Sequence, residues 1–117
     1  MRRDDRRDEQ YLADIFESAE HIAASIEGFD ESSLDDRSFY NNVVRELEII
    51  GEASRSLSDT FKLAHQEIEW PAISRMRNIL VHVYWDIQRA IVWEAVTVDV
   101  PELVRLLRVR GVPDTEG

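Results

Sequence analysis

Cysteine is absent from the 117 residues, so the chain has no disulfide framework, no thiolate metal site and no cysteine nucleophile. That fits a reducing compartment. Positive charge is scarce: 14 Lys and Arg stand against 24 Asp and Glu, a formal net charge of −10. Such a molecule repels polyanions at long range and does not coat nucleic acid indiscriminately. Apolar runs such as Ile79-Leu80-Val81 are far too short to cross a bilayer, and Arg2, Arg3, Arg6 and Arg7 have no apolar stretch behind them of the kind a signal peptide needs. A cytoplasmic protein with no membrane partner is expected. Glycine and proline are few, 4 and 3. With 44% apolar residues, the length suits a single domain, 1–117, with its ends, 1–7 and 112–117, frayed.

What is present is helical periodicity. Leu12, Ile15, Phe16, Ala19, Ile22, Ala23 and Ile26 recur at three- and four-residue steps, which predicts a first helix from about Asp8 to Glu27. Gly28 suits the left-handed residue just past its end, and Phe29 to Ser33 reads as a turn. Tyr40, Val43, Val44, Leu47, Ile50 and Leu57 mark a second helix from roughly Asp36 to Ser56. Gly51 lies within it, at a cost of about 1 kcal/mol relative to alanine, so close packing by another helix is expected there. A short helix over Asp59 to Ala64 precedes a third, which starts at Pro71 and runs to about Tyr84. Asp86 is the expected N-cap of the next helix, with Ile87, Ile91, Ala95 and Val98 as its buried stripe, Pro101 as a kink or interruption, and Leu103, Leu106 and Leu107 carrying the apolar face towards Gly111. The fold class is all-α: an up-and-down bundle of four or five helices.

The third helix does not read as plain bundle. At about 100° per residue, Ala72, Ile73, Met76, Ile79, Leu80 and Val83 form a core stripe. Tyr84, Arg77, Val81, Trp85, Asn78 and His82 fill an arc of about 160° on the far side. That mixture of aromatic, aliphatic and arginine side chains resembles an interface core with an adjoining cleft. Asn78 and His82, four apart, share a ridge on which the amide can bias the imidazole tautomer. Arg77 and His82 diverge by about 140° on a regular helix. A two-fold axis beside this face would bring one protomer's arginine to the other's histidine, so a homodimer joined through this helix is expected, with Val81 and Trp85 as interface candidates. Trp85 is equally placed to lie against substrate.

The octet Arg77-Asn78-Ile79-Leu80-Val81-His82-Val83-Tyr84 resembles the R-x4-H-x-Y signature of the HepT-like toxins of the HEPN superfamily, including a polar residue directly after the arginine. Leu47 to Ala53, Glu67 to Trp70, and Ile91 to Glu94 are similar to that family's other recurrent stretches, in the same order. The resemblance spans roughly Tyr11 to Leu107. It implies a metal-independent endoribonuclease toxin of a type II or type VII-like toxin–antitoxin system, with no cofactor. Arg77 and His82 would be catalytic and Asn78 supporting. The partner would be a nucleotidyltransferase antitoxin that silences the toxin by adenylylating Tyr84.

The chemistry suits the residue types. An imidazole that titrates near neutrality can relay the proton of an RNA 2′-hydroxyl or supply one to the leaving 5′-oxygen. A guanidinium fork can hold the non-bridging phosphate oxygens. The expected ends are a 2′,3′-cyclic phosphate and a 5′-hydroxyl. Because the net charge opposes RNA, binding is expected to use a local patch, Arg75, Arg77 and Arg89, doubled across the dimer. His21 and His65 read as surface residues and Trp70 and Trp93 as packing. Glu48 and Glu52, with Arg45 and Arg55 three residues away, read as a salt-bridged or antitoxin-facing ridge and not a metal site. The alternative function is a catalytically silent helical module of the same superfamily that only binds a nucleotidyltransferase.

Overall fold

The structure is a computed structural model that describes residues 3–81 and 84–110. It is all-α. Helix α1 spans Arg3–Ile26, α2 Arg37–Ser56, α3 Asp59–Ala64, α4 Trp70–Ser74, α5 Trp85–Glu94 and α6 Val100–Val109. A 3₁₀ turn over Glu31–Asp35 joins α1 to α2, a 3₁₀ segment over Arg75–Val81 continues α4, and a π-helical turn over Ala95–Asp99 joins α5 to α6. The described chain therefore forms four rods plus the short α3, and it contains no strand.

The rods alternate in direction. Asp8 bonds Ser58, Ser18 bonds Glu46 and Ser25 bonds Asn42, so α1 and α2 run antiparallel. The third rod starts near the far end of α2, where Trp70 Nε1 donates to the His65 carbonyl. The fourth starts beside Asp35 and Tyr40 and ends where Arg110 donates to the Ala64 carbonyl, 2.6 Å away. The core between them is Leu12, Ile15, Phe16 and Ile22 of α1, Val43, Leu47 and Ile50 of α2, Ile73 and Met76 of the third rod, and Val92, Val96, Leu103 and Leu107 of the fourth. No helix of the described residues is long and apolar enough to cross a membrane.

Several expected boundaries hold. Asp36 caps α2 by accepting from the Phe39 amide at 2.9 Å, and Ser58 caps α3. Gly28 adopts φ +81° just past α1, a region most side chains avoid. Others need correction. Helix α1 begins at Arg3, not Asp8, and the reason is Asp8 itself. Its buried carboxylate accepts from the Ser58 amide and hydroxyl, at 2.8 and 2.6 Å, pinning the first turns against the bundle. At Pro101 the expected kink or interruption takes the form of a π turn within a rod that otherwise continues. The π turn immediately before the proline widens the helix where the ring removes a donor and crowds the preceding carbonyls, and the chain stays helical to Val109. The tail from Gly111 lies outside the described residues.

The expected stripe on the fourth rod is also displaced. Gln88, Val92, Ala95 and Val96 are buried, whereas Ile87 and Val98 are 49% and 55% exposed. A polar residue takes the core position because Gln88 Nε2 donates to the Tyr40 hydroxyl at 3.0 Å. The extra residue in the π turn then rotates the remainder of the rod, from Val100 onwards, about its axis.

Candidate functional site

The site begins at Gly51. A Cβ there would stand 2.6 Å from the Arg77 backbone nitrogen and 3.2 Å from the Met76 carbonyl carbon. The glycine therefore lets α2 and the 3₁₀ segment touch backbone to backbone, as expected for a glycine inside a helix. The same contact fixes the start of the Arg77 side chain. The next residue of α2 fixes its end: Glu52 Oε2 accepts from Arg77 Nη1 at 3.1 Å. The other carboxylate oxygen of Glu52 lies 3.7 Å from Arg55 Nη1, so the ridge is salt-bridged around Glu52. Arg77 keeps a side-chain exposure of 36%. Its contact to Glu52 engages a single nitrogen of the guanidinium, and no other partner occurs among the described residues. The rest of the fork faces a shallow groove of about 410 Å³ lined by Arg45, Glu48, Ile49, Glu52, Arg77 and Asn78.

The regular helix expected from Pro71 to Tyr84 is not observed. The α-helix gives way to 3₁₀ geometry at Arg75, and Tyr84 is extended, at φ −88° and ψ 125°. The 100° arc that placed Arg77, Asn78, Val81, Tyr84 and Trp85 on one face does not apply, and Tyr84 and Trp85 belong to the start of the next rod. Tyr84, not Asp86, occupies the N-cap position of α5, and Asp86 sits in its first turn. Apolar spacing at three and four residues is compatible with either helical period, which is why the change is hidden in the sequence. His82 lies outside the described residues, as does the side chain of Val81.

The remaining candidates separate. Asn78 is exposed and shares the groove with Arg77. Arg75 is exposed, without an ion-pair partner among the described residues. Tyr84 is 72% exposed, and Trp85 and Ile87 beside it are 40% and 49% exposed, an apolar surface at the start of α5. Trp85 is partly used within the chain: its indole N–H donates to Asp35 Oδ1 at 2.8 Å, and its ring meets Tyr40 edge-on. Arg89 corrects an expectation. Glu31, Asp35 and Asp86 surround its guanidinium, at 3.3, 3.0 and 3.9 Å, so its charge ties α5 to the Glu31–Asp35 turn and is not free for a phosphate. The hydrogen bonds from Trp85 and Arg89 hold the Asp35 carboxyl below the ordinary carboxylate range.

The model of the family described as "Ribonuclease HepT-like" matches residues 13–109. The chain belongs to that family. Among HepT-like relatives, a protein of Thermococcus cleftensis named "Probable ribonuclease HepT" is 39% identical over 99 residues, covering 84% of this chain and 90% of its own. One named "Putative RNase" from Caldanaerobacter subterraneus subsp. tengcongensis is 32% identical over 84% of this chain and 88% of its own. Another so named, from Methanocaldococcus jannaschii, is 34% identical over 80% of this chain and 86% of its own. No solved structure matches the chain significantly.

Two residues that line the groove escape a reading of the sequence. Glu52 is visible there only as half of a carboxylate pair, because its contact with Arg77 spans 25 positions. Arg45 is visible only as a possible partner of Glu48, yet no ion pair joins the two among the described residues. Away from the groove, His21 is exposed, as expected, whereas His65 is more buried than expected. His21 Nδ1 lies 3.0 Å from Oε2 of the buried Glu46, whose other oxygen accepts from the Ser18 hydroxyl at 3.3 Å. The contact with Glu46 raises the His21 pKa above its ordinary value of 6.5. His65 packs against Phe61, and burial, with Arg110 nearby, lowers its pKa.

Proposed function

We propose that this protein is a metal-independent endoribonuclease toxin, held silent by a nucleotidyltransferase antitoxin in a type II or type VII-like system. The observation that carries the reading is Arg77. It is a partly exposed guanidinium, anchored at its base by the Gly51 contact and at its tip by one carboxylate, with the rest of its fork open to a groove, in a chain of the HepT-like family.

Arg77 holds the non-bridging oxygens of the scissile phosphate as charge builds on them. His82 manages the proton: it takes it from the 2′-hydroxyl as that oxygen attacks phosphorus, or delivers one to the departing 5′-oxygen. The 2′-oxygen–phosphorus bond forms as the bond to the 5′-oxygen breaks, leaving a 2′,3′-cyclic phosphate and a 5′-hydroxyl. Asn78 supports the imidazole, and Arg75 adds local positive charge. Tyr84, exposed at the entrance to α5, is the tyrosine the antitoxin adenylylates, and the added phosphodiester competes for Arg77. The exposed Trp85 and Ile87, with Val81, supply the apolar surface of a homodimer. Regular spacing along one helix lends that dimer no support, because the chain changes helical period at Arg75.

The purified protein with RNA in EDTA tests this. Wild type cleaves, and Arg77→Ala and His82→Ala do not. Cleavage that persists in both variants removes the site, and inactivity of unmodified wild type favours a silent module that only binds its nucleotidyltransferase.

A further inference from the structure

We infer that the groove beside Arg77 seats the nucleotide next to the scissile linkage, and that Arg45 holds the adjacent phosphate of the same RNA strand. The inference rests on the proposed role of Arg77. Arg45, Ile49 and Glu52 succeed one another at four- and three-residue steps, so they share one ridge of α2. All three line the groove together with Arg77 and Asn78. Arg45 and Glu52 are seven residues apart, a rise of about 10 Å along the axis. With Arg77 held at Glu52, that spacing leaves room for the two arginines to hold neighbouring phosphates of one strand.

The chemistry of the lining fits an RNA strand laid along α2. Ile49, half-buried and lining the same groove, offers an apolar floor for a base or ribose. Glu52 is already engaged by Arg77 and Arg55. Of the two arginines that line the groove, Arg45 is exposed, with no ion pair among the described residues, and is open to a ligand. Glu48, exposed on the same wall, opposes the strand and tempers its affinity. A protein of net charge −10 can therefore bind RNA through two spaced arginines without a large basic surface.

The test compares mixed-base dinucleotides, which carry only the scissile phosphate, with pools one nucleotide longer on the 5′ or the 3′ side. Wild type cleaves one of the longer pools better, by about tenfold in kcat/KM, the usual worth of one charged hydrogen bond. Arg45→Ala removes that advantage and Arg45→Lys keeps part of it, so the loss on the longer pool exceeds any loss on dinucleotides. On long RNA, Arg45→Ala makes the negative slope of log(kcat/KM) against log salt shallower by about 0.7, and Glu48→Gln lowers KM. The salt slope decides if dinucleotides turn over too slowly to follow. Arg45→Ala with an unchanged slope and no loss specific to longer RNA overturns the subsite. Arg77→Ala separates the two failures. If it is inactive, only the subsite falls; if it is active, the reading of the whole site falls first.

Discussion

Alanine at position 51 puts the central contact under direct strain. In an open helix the change from glycine stabilises by about 1 kcal/mol. Here the new Cβ would sit 2.6 Å from the Arg77 nitrogen and 3.2 Å from the Met76 carbonyl carbon. Ordinary carbon contacts begin near about 3.5 Å, so α2 and the 3₁₀ segment must separate by roughly 1 Å. The atoms in the way are backbone and cannot rotate aside. Overpacking of this kind costs about 1–3 kcal/mol, which matches or outweighs the gain in helix propensity. The net loss, up to about 2 kcal/mol, lowers the melting temperature by several degrees in a domain of about this size. Arg77 travels with its segment, and a displacement of about 1 Å at a positioning group costs up to about 10²-fold in rate. Thermal melting and RNA cleavage should therefore fall together in Gly51→Ala. A variant that melts higher than wild type and cleaves equally well refutes the reasoning.

Three further outcomes are expected. Glu52→Ala frees the Arg77 tip, so kcat drops about tenfold or more while KM for RNA stays level or falls, because a carboxylate has left the groove; Glu52→Gln, which can still accept from Arg77, recovers part of kcat. Uniformly higher activity in Glu52→Ala would instead mark the carboxylate as a competitor for the phosphate seat. The raised His21 pKa means that this pair stabilises the α1–α2 contact fully below about pH 6.5 and loses its effect as pH rises through the folded-state value. Melting curves of wild type and His21→Gln should thus differ most in mild acid and converge in alkali, and a gap that widens with pH would contradict the sign. Intact mass after co-expression with the cognate nucleotidyltransferase should show added AMP on wild type and none on Tyr84→Phe; a Tyr84→Phe chain that still gains it moves the modification elsewhere.

The sequence carried the bundle because Leu12 to Ile22 and Val43 to Ile50 repeat at a period only a helix satisfies. Gly51 announced a close approach, since nothing else offsets its cost within α2. The switch to 3₁₀ at Arg75 was hidden because Ile73, Met76 and Ile79 fit either period. Gln88 misled for a different reason: its burial depends on a tyrosine hydroxyl 48 positions away. Long-range charge pairing was invisible in the same way. Arg89 reads as a free cation until Asp35, 54 positions earlier, folds onto it, and Glu52 reads as a surface carboxylate until Arg77 arrives. The motif pointed to Arg77, and the carboxylate that holds its tip came only with the fold.

The most direct measurement places one 2′-deoxynucleotide at the linkage that the purified protein cleaves in an otherwise unmodified RNA, with EDTA present. Attack by the neighbouring hydroxyl is then impossible. If the 2′-oxygen is the nucleophile, this linkage survives while the all-ribose strand yields a 2′,3′-cyclic phosphate at the same position. Cleavage of the deoxy-substituted linkage at the same rate would contradict that chemistry.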